Sequence, residues 1–397
     1  MKNLGLRIVN IKPSDLIIML VWISNPLLDY FKIVLRHLPI LSSVADMVVP
    51  LMFCSLIFMS AFFIKKVIHV TDILFYVTWA VIWMVHYICF PQNTTYMQEC
   101  FSIFFCTVLP LYFVGVSMVN IKKILPYLEY LSYFTIVCYF IFKNIAVTDE
   151  QIIATGGDMV GAYALLPHLL LITWRALNRK QICRILIPIA SFFILVILGN
   201  RGSLLSYIFF IFVYFVLIKK IYKRLPVVIL SIGLLLGIAT LSDKILLFIT
   251  IIITNMGYST RILDKIQDNE LLDSSGRDLI AERILSAIEE QPFVGHGITA
   301  DRLICGTYSH NIFLEILVSF GCVIGSLLIF MLIYVMVRAY LETDDTVMRA
   351  FLLILFFSGF LQLIFSSSYL YSPNLFLLIG FSVLLAFRYK KYDRNWK

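Results

Sequence analysis

The chain has 397 residues, of which 61% are hydrophobic and only 14% charged, and its mean hydropathy is +0.93. An ordinary globular domain carries roughly a quarter of its residues as charges, so this composition excludes a soluble protein. The formal net charge is +8. In a membrane protein, basic residues in the loops set the orientation of the chain, and this explains a basic excess. Nucleic acid is therefore not an expected partner.

Apolar runs long enough to cross the roughly 30 Å hydrocarbon core as helices recur along the whole chain. The sequence predicts an all-α polytopic integral membrane protein with about twelve transmembrane helices in a single domain, residues 1–397. The short runs leave the helix ends loosely defined and allow one pair to be re-entrant. The predicted segments are 15–35, 44–64, 70–90, 101–119, 124–142, 158–174, 185–200, 203–218, 225–241, 311–337, 350–366 and 374–387.

Lysines and arginines concentrate in alternate loops, for example Lys219, Lys220, Lys223 and Arg224. Because positive charge favours the cytoplasmic side, we expect both termini in the cytoplasm. The first apolar run lacks a small-residue cleavage site, so we interpret it as a retained membrane helix.

The longest polar stretch, 242–310, falls on the predicted outer (periplasmic) face between the ninth and tenth helices. Within it, Ile280, Ile284, Ala287 and Ile288 recur at helical spacing, which predicts an amphipathic helix over 277–290. The piece 245–253 is too short to span and is expected at the membrane interface. Chemistry is expected in this outer loop.

Arg201 stands between two apolar runs in a tight outer turn, flanked by Gly199 and Gly202. An interfacial arginine usually extends toward lipid headgroups. Glycines on both sides instead leave the backbone open to the close approach of a bulky group. The turn therefore predicts an anion-binding arginine.

Arg277 lies at the predicted start of the amphipathic helix, after Ser274, Ser275 and Gly276. A cation is mildly unfavourable at a helix N-terminus, because the macrodipole is positive there. Stability alone would not select it. An anion at this place would be held by the guanidinium and by the free N–H groups of the first turn. The alternative is a solvated charge paired with Asp278.

His310 precedes Asn311 at the start of the tenth segment, and a neutral imidazole there could accept a proton. The alternative base is His296, in Gly295-His296-Gly297. Gly321 and Gly325 have the G-x-x-x-G spacing of close helix packing.

The remaining candidates carry weaker signals. We expect Arg302 to pair with a loop acid such as Asp301, and Glu315 is not an obvious partner for His310, since it would lie about 140° around the helix. Cys100 and Cys305 both fall on the predicted outer side, where a disulfide is conceivable, although the cysteines mostly suit packing.

Four short motifs occur in a fixed order on one predicted face. They are Leu198-Gly-Asn-Arg-Gly-Ser-Leu-Leu-Ser206, Ser275-Gly-Arg277, Gln291-Pro-Phe-Val-Gly-His-Gly297 and Ser309-His-Asn-Ile-Phe-Leu314 followed by Gly321. In order and spacing the series resembles the O-antigen polymerase (Wzy-type) and ligase superfamily of bacterial membrane enzymes, over roughly residues 155–325. The stretch 157–167 is a fainter match.

The resemblance implies a helical bundle like that of C-type glycosyltransferases, in the bacterial inner membrane, acting on undecaprenyl-diphosphate-linked glycans at the outer face. It implies that Arg201 and Arg277 bind the diphosphate and that His310 acts as base or positions the acceptor. Gly199, Gly202, His296, Gly297 and Asn311 would support them. It also makes a chain-length regulator protein an expected partner.

The chemistry itself needs the same groups. Breaking a sugar C1–O bond with a diphosphate leaving group builds negative charge, and bidentate guanidinium contacts can neutralise it. The predicted outer side lacks a D-x-D pair for a metal, so we expect no metal or other cofactor. The attacking hydroxyl must lose a proton to a base, and direct displacement would invert the anomeric centre.

The leading hypothesis is a polysaccharide polymerase that transfers a lipid-linked glycan onto the next lipid-linked repeat unit, making O-antigen, capsule or a related surface polysaccharide. A ligase that uses the same donor and lipid A core as acceptor is the close alternative. A secondary transporter or lipid-linked oligosaccharide flippase also fits the topology, but it predicts mid-membrane acids and repeated halves.

Overall fold

The computed structural model describes residues 12, 14–24, 68–146, 157–179, 183–198, 200–218 and 276–389. Within these ranges the chain is helical and contains no strand. The predicted segments 44–64 and 225–241, Gly199 and the outer-loop residues 242–275 lie outside them, and so the number of twelve spans stays a prediction.

The helices are numbered in chain order over the described residues. They are α1 (Ser14–Ser24), α2 (Val70–Cys89), α3 (Thr94–Ile103), α4 (Leu111–Ser117), α5 (Ile121–Ala146), α6 (Gly157–Leu177), α7 (Cys183–Ile197), α8 (Arg201–Val213), α9 (Arg277–Glu290), α10 (Ala300–Cys305), α11 (Ile312–Glu342), α12 (Thr346–Leu355), α13 (Gln362–Phe365) and α14 (Pro373–Val383). Short 3₁₀ turns and π-helical segments extend or join several of them.

Five stretches of the described chain are long and apolar enough to cross a membrane. They are Val70–Cys89, Pro91–Ile141, Arg201–Ile218, Ile312–Glu342 and Thr346–Phe365. Shorter apolar helices accompany them at Ser14–Ser24, Ile185–Ile197 and Pro373–Arg388. Helices can cross lipid because they satisfy their own backbone hydrogen bonds. A chain with several apolar helices of this length is a multi-pass membrane protein.

The core of the bundle forms around α14, which packs against α4, α11 and α12. A β-carbon at Gly115 of α4 would lie 2.4 Å from the carbonyl oxygen of Leu377, so these two helices meet backbone to backbone. Side chains on the outer surface of α2 and α11, such as Val70 and Phe330, are exposed. Exposed apolar surface of this kind suits contact with lipid.

Two buried acidic residues inside the apolar helices, Asp72 and Glu129, are paired with arginines. Asp72 accepts from both terminal nitrogens of Arg388, at 2.8 and 2.7 Å, and also caps the start of α2. Glu129 is buried and accepts from Arg175 and Arg179 at 2.9 and 2.5 Å. These acids therefore hold helices together and stabilise helix ends.

Helix α11 is interrupted at Gly321, which has φ 74° and ψ 171°. The sequence predicted one continuous helix there, since the apolar run has no gap. The structure instead has two helical pieces, 312–320 and 322–342, joined by a single glycine in a conformation that other residues rarely adopt.

Candidate active site

Helix α9 presents Arg277 at its first position. The helix has the predicted bounds and buries Ile284, Ala287 and Ile288 against Ala300 and Val318. Gly276 precedes it in the left-handed conformation. The Arg277 guanidinium donates to the carbonyl oxygen of Phe365, at the end of α13. Arg277 is thus held against a neighbouring helix, while Asp278 is exposed.

His310 lies in the loop that joins α10 to α11 and adopts the left-handed conformation with φ 56°. The side chain of Asn311 caps α11 by accepting from the N–H groups of Phe313 and Leu314, at 2.9 and 3.4 Å. A left-handed histidine is strained, and such strain is concentrated at functional sites. His310 is therefore outside the helix, in a conformation that the surrounding structure must enforce.

The His310 ring is held neutral. Burial, together with the positive charge of Arg277, lowers the pKa of His310 to about 4. Its Nδ1 is buried and has no hydrogen-bond partner among the described residues. The ring packs on Tyr308, with 4.2 Å between ring centroids. From the sequence, the helix N-terminus is expected to keep the imidazole neutral. In the structure, burial and the neighbouring Arg277 keep it neutral.

Arg201 is the first residue of α8, directly after the N-cap residue Asn200, whose side chain accepts from the N–H of Ser203 at 3.0 Å. Helix α7 ends at Ile197 and α8 begins at Arg201, so the connection between them is short. A β-carbon at Gly202 would lie 2.2 Å from the hydroxyl oxygen of Tyr163. Gly202 is therefore needed because a tyrosine packs directly on the backbone.

Tyr163 brings the separate parts together. Its hydroxyl interacts with the side chains of Asn200 and Ser366. It also interacts electrostatically with Arg277 and Tyr308. Tyr308 also interacts with Ser366 and Arg277. Through these contacts the Arg201 turn, the start of α9 and the His310 loop adjoin one another.

The loop Gln291–Gly297 supplies partners for the backbone groups that the break in α11 releases. His296 N–H donates to the carbonyl of Val318 at 2.8 Å, and Gly297 N–H donates to that of Ser319 at 3.1 Å. Cys322 N–H donates to the Pro292 carbonyl at 2.6 Å. These three bonds satisfy groups that would otherwise be unpaired.

Gly321 and Gly325, which the sequence predicts as a pair in close helix packing, have different partners. A β-carbon at Gly321 would lie 2.4 Å from the carbonyl oxygen of Phe293, so the close partner of Gly321 is this loop. The atoms nearest to a β-carbon at Gly325 belong to Ile316 and Leu317 in the first helical piece of α11, so only Gly325 lines a contact between helical pieces.

His296 is engaged in the same support structure. Its Nε2 lies 2.7 Å from the carbonyl oxygen of Ala287, to which it donates. Asn93 donates to the carbonyls of His296 and Ile298, at 2.7 and 3.1 Å. A β-carbon at Gly297 would lie 2.6 Å from the ring of Phe90. His296 and Gly297 therefore fix the loop Gln291–Gly297 against α9, α11 and the segment that follows α2.

Behind the His310 loop lies a buried cluster of three ionisable side chains, Asp301, Arg302 and Glu315. Arg302 pairs with Asp301 at 2.8 Å, as predicted, and with Glu315 at 3.5 Å. Burial alone would lower the pKa of Arg302, but the two carboxylates raise it above its ordinary value. Arg302 is therefore always charged and is saturated by protein groups.

Cys100 and Cys305 are both free thiols. Cys100 is buried and lies 3.0 Å from the hydroxyl of Tyr371, whose ring stacks on Arg302. The conceivable disulfide is thus absent between these two described cysteines, and Cys100 belongs to the surroundings of the buried cluster.

The structure assembles a cation, a neutral histidine and several hydroxyl groups. Sequence reasoning named Arg201, Arg277 and His310 but missed Tyr163 and Ser366. Tyr163 falls in the faintly matching stretch 157–167, and its one signal was a hydroxyl within an apolar run. Chemically, the arrangement can bind an anionic oxygen next to a group that can accept a proton.

A family model described as O-antigen ligase matches residues 186–331. The matched stretch includes Arg201, Arg277 and His310, together with the loop and helix break that support them. No curated protein and no solved structure matches the chain significantly. Over this stretch, which is less than half of the chain, this multi-pass membrane protein is similar to the O-antigen ligase family.

Proposed function

We propose that the protein is a polysaccharide polymerase that transfers an undecaprenyl-diphosphate-linked glycan onto the next lipid-linked repeat unit at the outer face of the inner membrane. The observation that carries the proposal is the neutral His310 ring, with its buried and unpartnered Nδ1, beside the guanidinium of Arg277. A base and an anion-binding cation are the two groups that this transfer requires.

In the proposed step Arg277 and Arg201 bind the diphosphate of the donor. The acceptor hydroxyl gives its proton to His310 as its oxygen attacks C1 of the donor sugar. The bond from C1 to the diphosphate oxygen breaks, and the electron pair leaves with the diphosphate. Attack from the face opposite the leaving group inverts the anomeric centre.

The two arginines have complementary roles in this scheme. A guanidinium stays charged at every physiological pH and binds two phosphate oxygens at once. Burial lowers the pKa of His310, and Arg277 lowers it further, so the group that binds the leaving anion also helps to keep the base unprotonated before the reaction. We propose that this arrangement makes the reaction independent of a divalent metal.

The test is the purified protein with the lipid-linked repeat unit isolated from the same cells, in the presence of EDTA. We expect a ladder of products of increasing length from the wild-type protein. Arg201→Ala, Arg277→Ala and His310→Ala are expected to give none while still reaching the membrane. Strict dependence on an added divalent ion, or wild-type ladders from two of the three variants, would overturn the proposal.

A ligase that transfers the same donor to lipid A core is the second candidate, and the description of the matching family favours it. Deletion of the gene distinguishes the two. Loss of a polymerase leaves single repeat units on the surface glycolipid, whereas loss of a ligase leaves full-length chains on the lipid carrier.

A further inference from the structure

Asp301, Arg302 and Glu315 are buried, with relative exposures of 0%, 6% and 1%. Burying an arginine together with two carboxyl groups costs more desolvation energy than their mutual attraction usually returns, and apolar residues of similar volume would often serve stability better. The cluster therefore calls for an explanation other than stability.

Each carboxylate anchors a loop of the candidate site. Asp301 Oδ2 accepts from the N–H of Ser309, at 2.9 Å, directly before His310. Glu315 accepts from the Ser368 hydroxyl and, at 3.1 Å, from the N–H of Tyr369. Arg302 connects the two acids and donates to Ser368 at 2.9 Å.

The anchored residues flank the two strained positions of these loops. His310 has φ 56° and follows Ser309, and Ser367 has φ 72° and precedes Ser368. Neither is a glycine, so each must be held in this conformation by its surroundings. Ser366, on the other side of Ser367, interacts with Tyr163 and Tyr308.

We propose that Asp301, Arg302 and Glu315 form a positioning cluster that fixes the left-handed backbone of His310 and so aims its ring toward the acceptor. The inference rests on the proposed function, because His310 is taken as the base. The cluster touches no reacting atom. Its effect reaches the reaction through Ser309 on one side and through Ser368 on the other.

The test compares Glu315→Gln with Glu290→Gln, a control at an exposed carboxylate of α9. The amide keeps the shape of Glu315 but replaces one of its two acceptor oxygens, which bond to the Ser368 hydroxyl and to the N–H of Tyr369, with an NH₂ group that cannot accept. Initial rates on the lipid-linked repeat unit are expected to fall between about 10- and 100-fold in kcat. KM for the donor should change less than about 2-fold, since Arg201 and Arg277 are untouched.

The pH profile separates positioning from a purely structural role. His310 adjoins Arg277 and Tyr308, with Asp301, Arg302 and Glu315 behind Ser309. A loosened loop admits water to the ring and moves the pKa of His310 toward about 6.5. The acid limb of the kcat profile should therefore move to higher pH in Glu315→Gln. Reduced protein yield with an unchanged kcat and limb would overturn the proposal.

Two further variants keep the result interpretable. Ser368→Ala removes the hydroxyl that bonds to both Arg302 and Glu315. We expect the same fall in kcat and the same shift of the acid limb, both smaller, and this variant remains informative even if Glu315→Gln does not fold. Combining Glu315→Gln with His310→Ala should cause no loss beyond that of His310→Ala. If His310→Ala alone is fully active, the proposed function fails. If it is inactive and both cluster variants behave as wild type, only the positioning role fails.

Discussion

The hydroxyl of Tyr163 occupies the place that a side chain at Gly202 would need, because a β-carbon there would lie 2.2 Å from that oxygen. This contact joins α6 to the Arg201 turn. The same hydroxyl interacts with Ser366, next to the carbonyl that receives Arg277. One tyrosine thus sets the relation between the two arginine-bearing segments.

Gly202→Ala should displace the Arg201 turn. We expect overpacking to cost about 1–3 kcal/mol of stability and transfer activity to fall at least about 10-fold. Thermal unfolding in detergent and initial rates measure the two effects. The double variant Gly202→Ala/Tyr163→Phe is the matched control, because removal of the hydroxyl leaves the Tyr163 ring carbon at 3.3 Å as the nearest tyrosine atom. Equal losses in the single and double variants would contradict this account.

Arg277→Lys should lose most activity although the charge is retained. Lysine offers a single ammonium and cannot bind two phosphate oxygens in the planar geometry of arginine. We expect a loss of about 100-fold in kcat, and the same for Arg201→Lys. Arg283→Lys, on the exposed face of the same helix, should behave as wild type. Rates within a factor of about two for Arg277→Lys would show that bidentate binding is not needed.

Activity should persist in mildly acidic solution. The base works in its neutral form, and burial together with Arg277 lowers the pKa of His310 to about 4. An exposed histidine is mostly protonated below about pH 6.5, whereas His310 stays neutral until the pH approaches 4. The acid limb of the kcat profile is therefore expected well below pH 6. A half-maximal rate near pH 6.5 would indicate a solvent-exposed base instead.

Gly321→Ala and Gly325→Ala form a matched pair on one helix. Gly321 has a positive φ, and an added β-carbon would lie 2.4 Å from a backbone oxygen of the supporting loop. At Gly325, where φ is not positive, the nearest atoms are a leucine side-chain carbon at 3.1 Å and two backbone atoms at 3.2 Å. We expect Gly321→Ala to lower the unfolding temperature and abolish transfer, and Gly325→Ala to do much less. Similar unfolding temperatures would refute the role assigned to the helix break.

The sequence predicted those parts of the site whose signals are local. The apolar spacing of α9 defined its buried face, and a charged residue at a helix start drew attention to Arg277. The break at Gly321 could not be found in this way, because the apolar run continues through it and its cause is a loop some 25 residues upstream. The break depends on tertiary hydrogen bonds, and the spacing of apolar residues does not indicate these.

Glu315 illustrates a second limit. If both residues shared one helix, as the sequence predicts, Glu315 would lie about 140° around it from His310. His310 instead precedes the N-cap with φ 56°, so the helical angle between them has no meaning. The route from Glu315 to His310 runs through Arg302 and Asp301, a connection that depends on how α10 folds back against α11.

The interruption of α11 affects which part of the helix crosses the membrane and at what level His310 lies. At 1.5 Å per residue, the piece 322–342 reaches roughly 30 Å and is long enough to cross the hydrocarbon core unaided. The nine-residue piece 312–320 is then not required for crossing. It is free to set the level of His310 relative to the lipid surface, and under the proposed function this level would let an acceptor glycan reach His310 while its prenyl anchor stays in the bilayer.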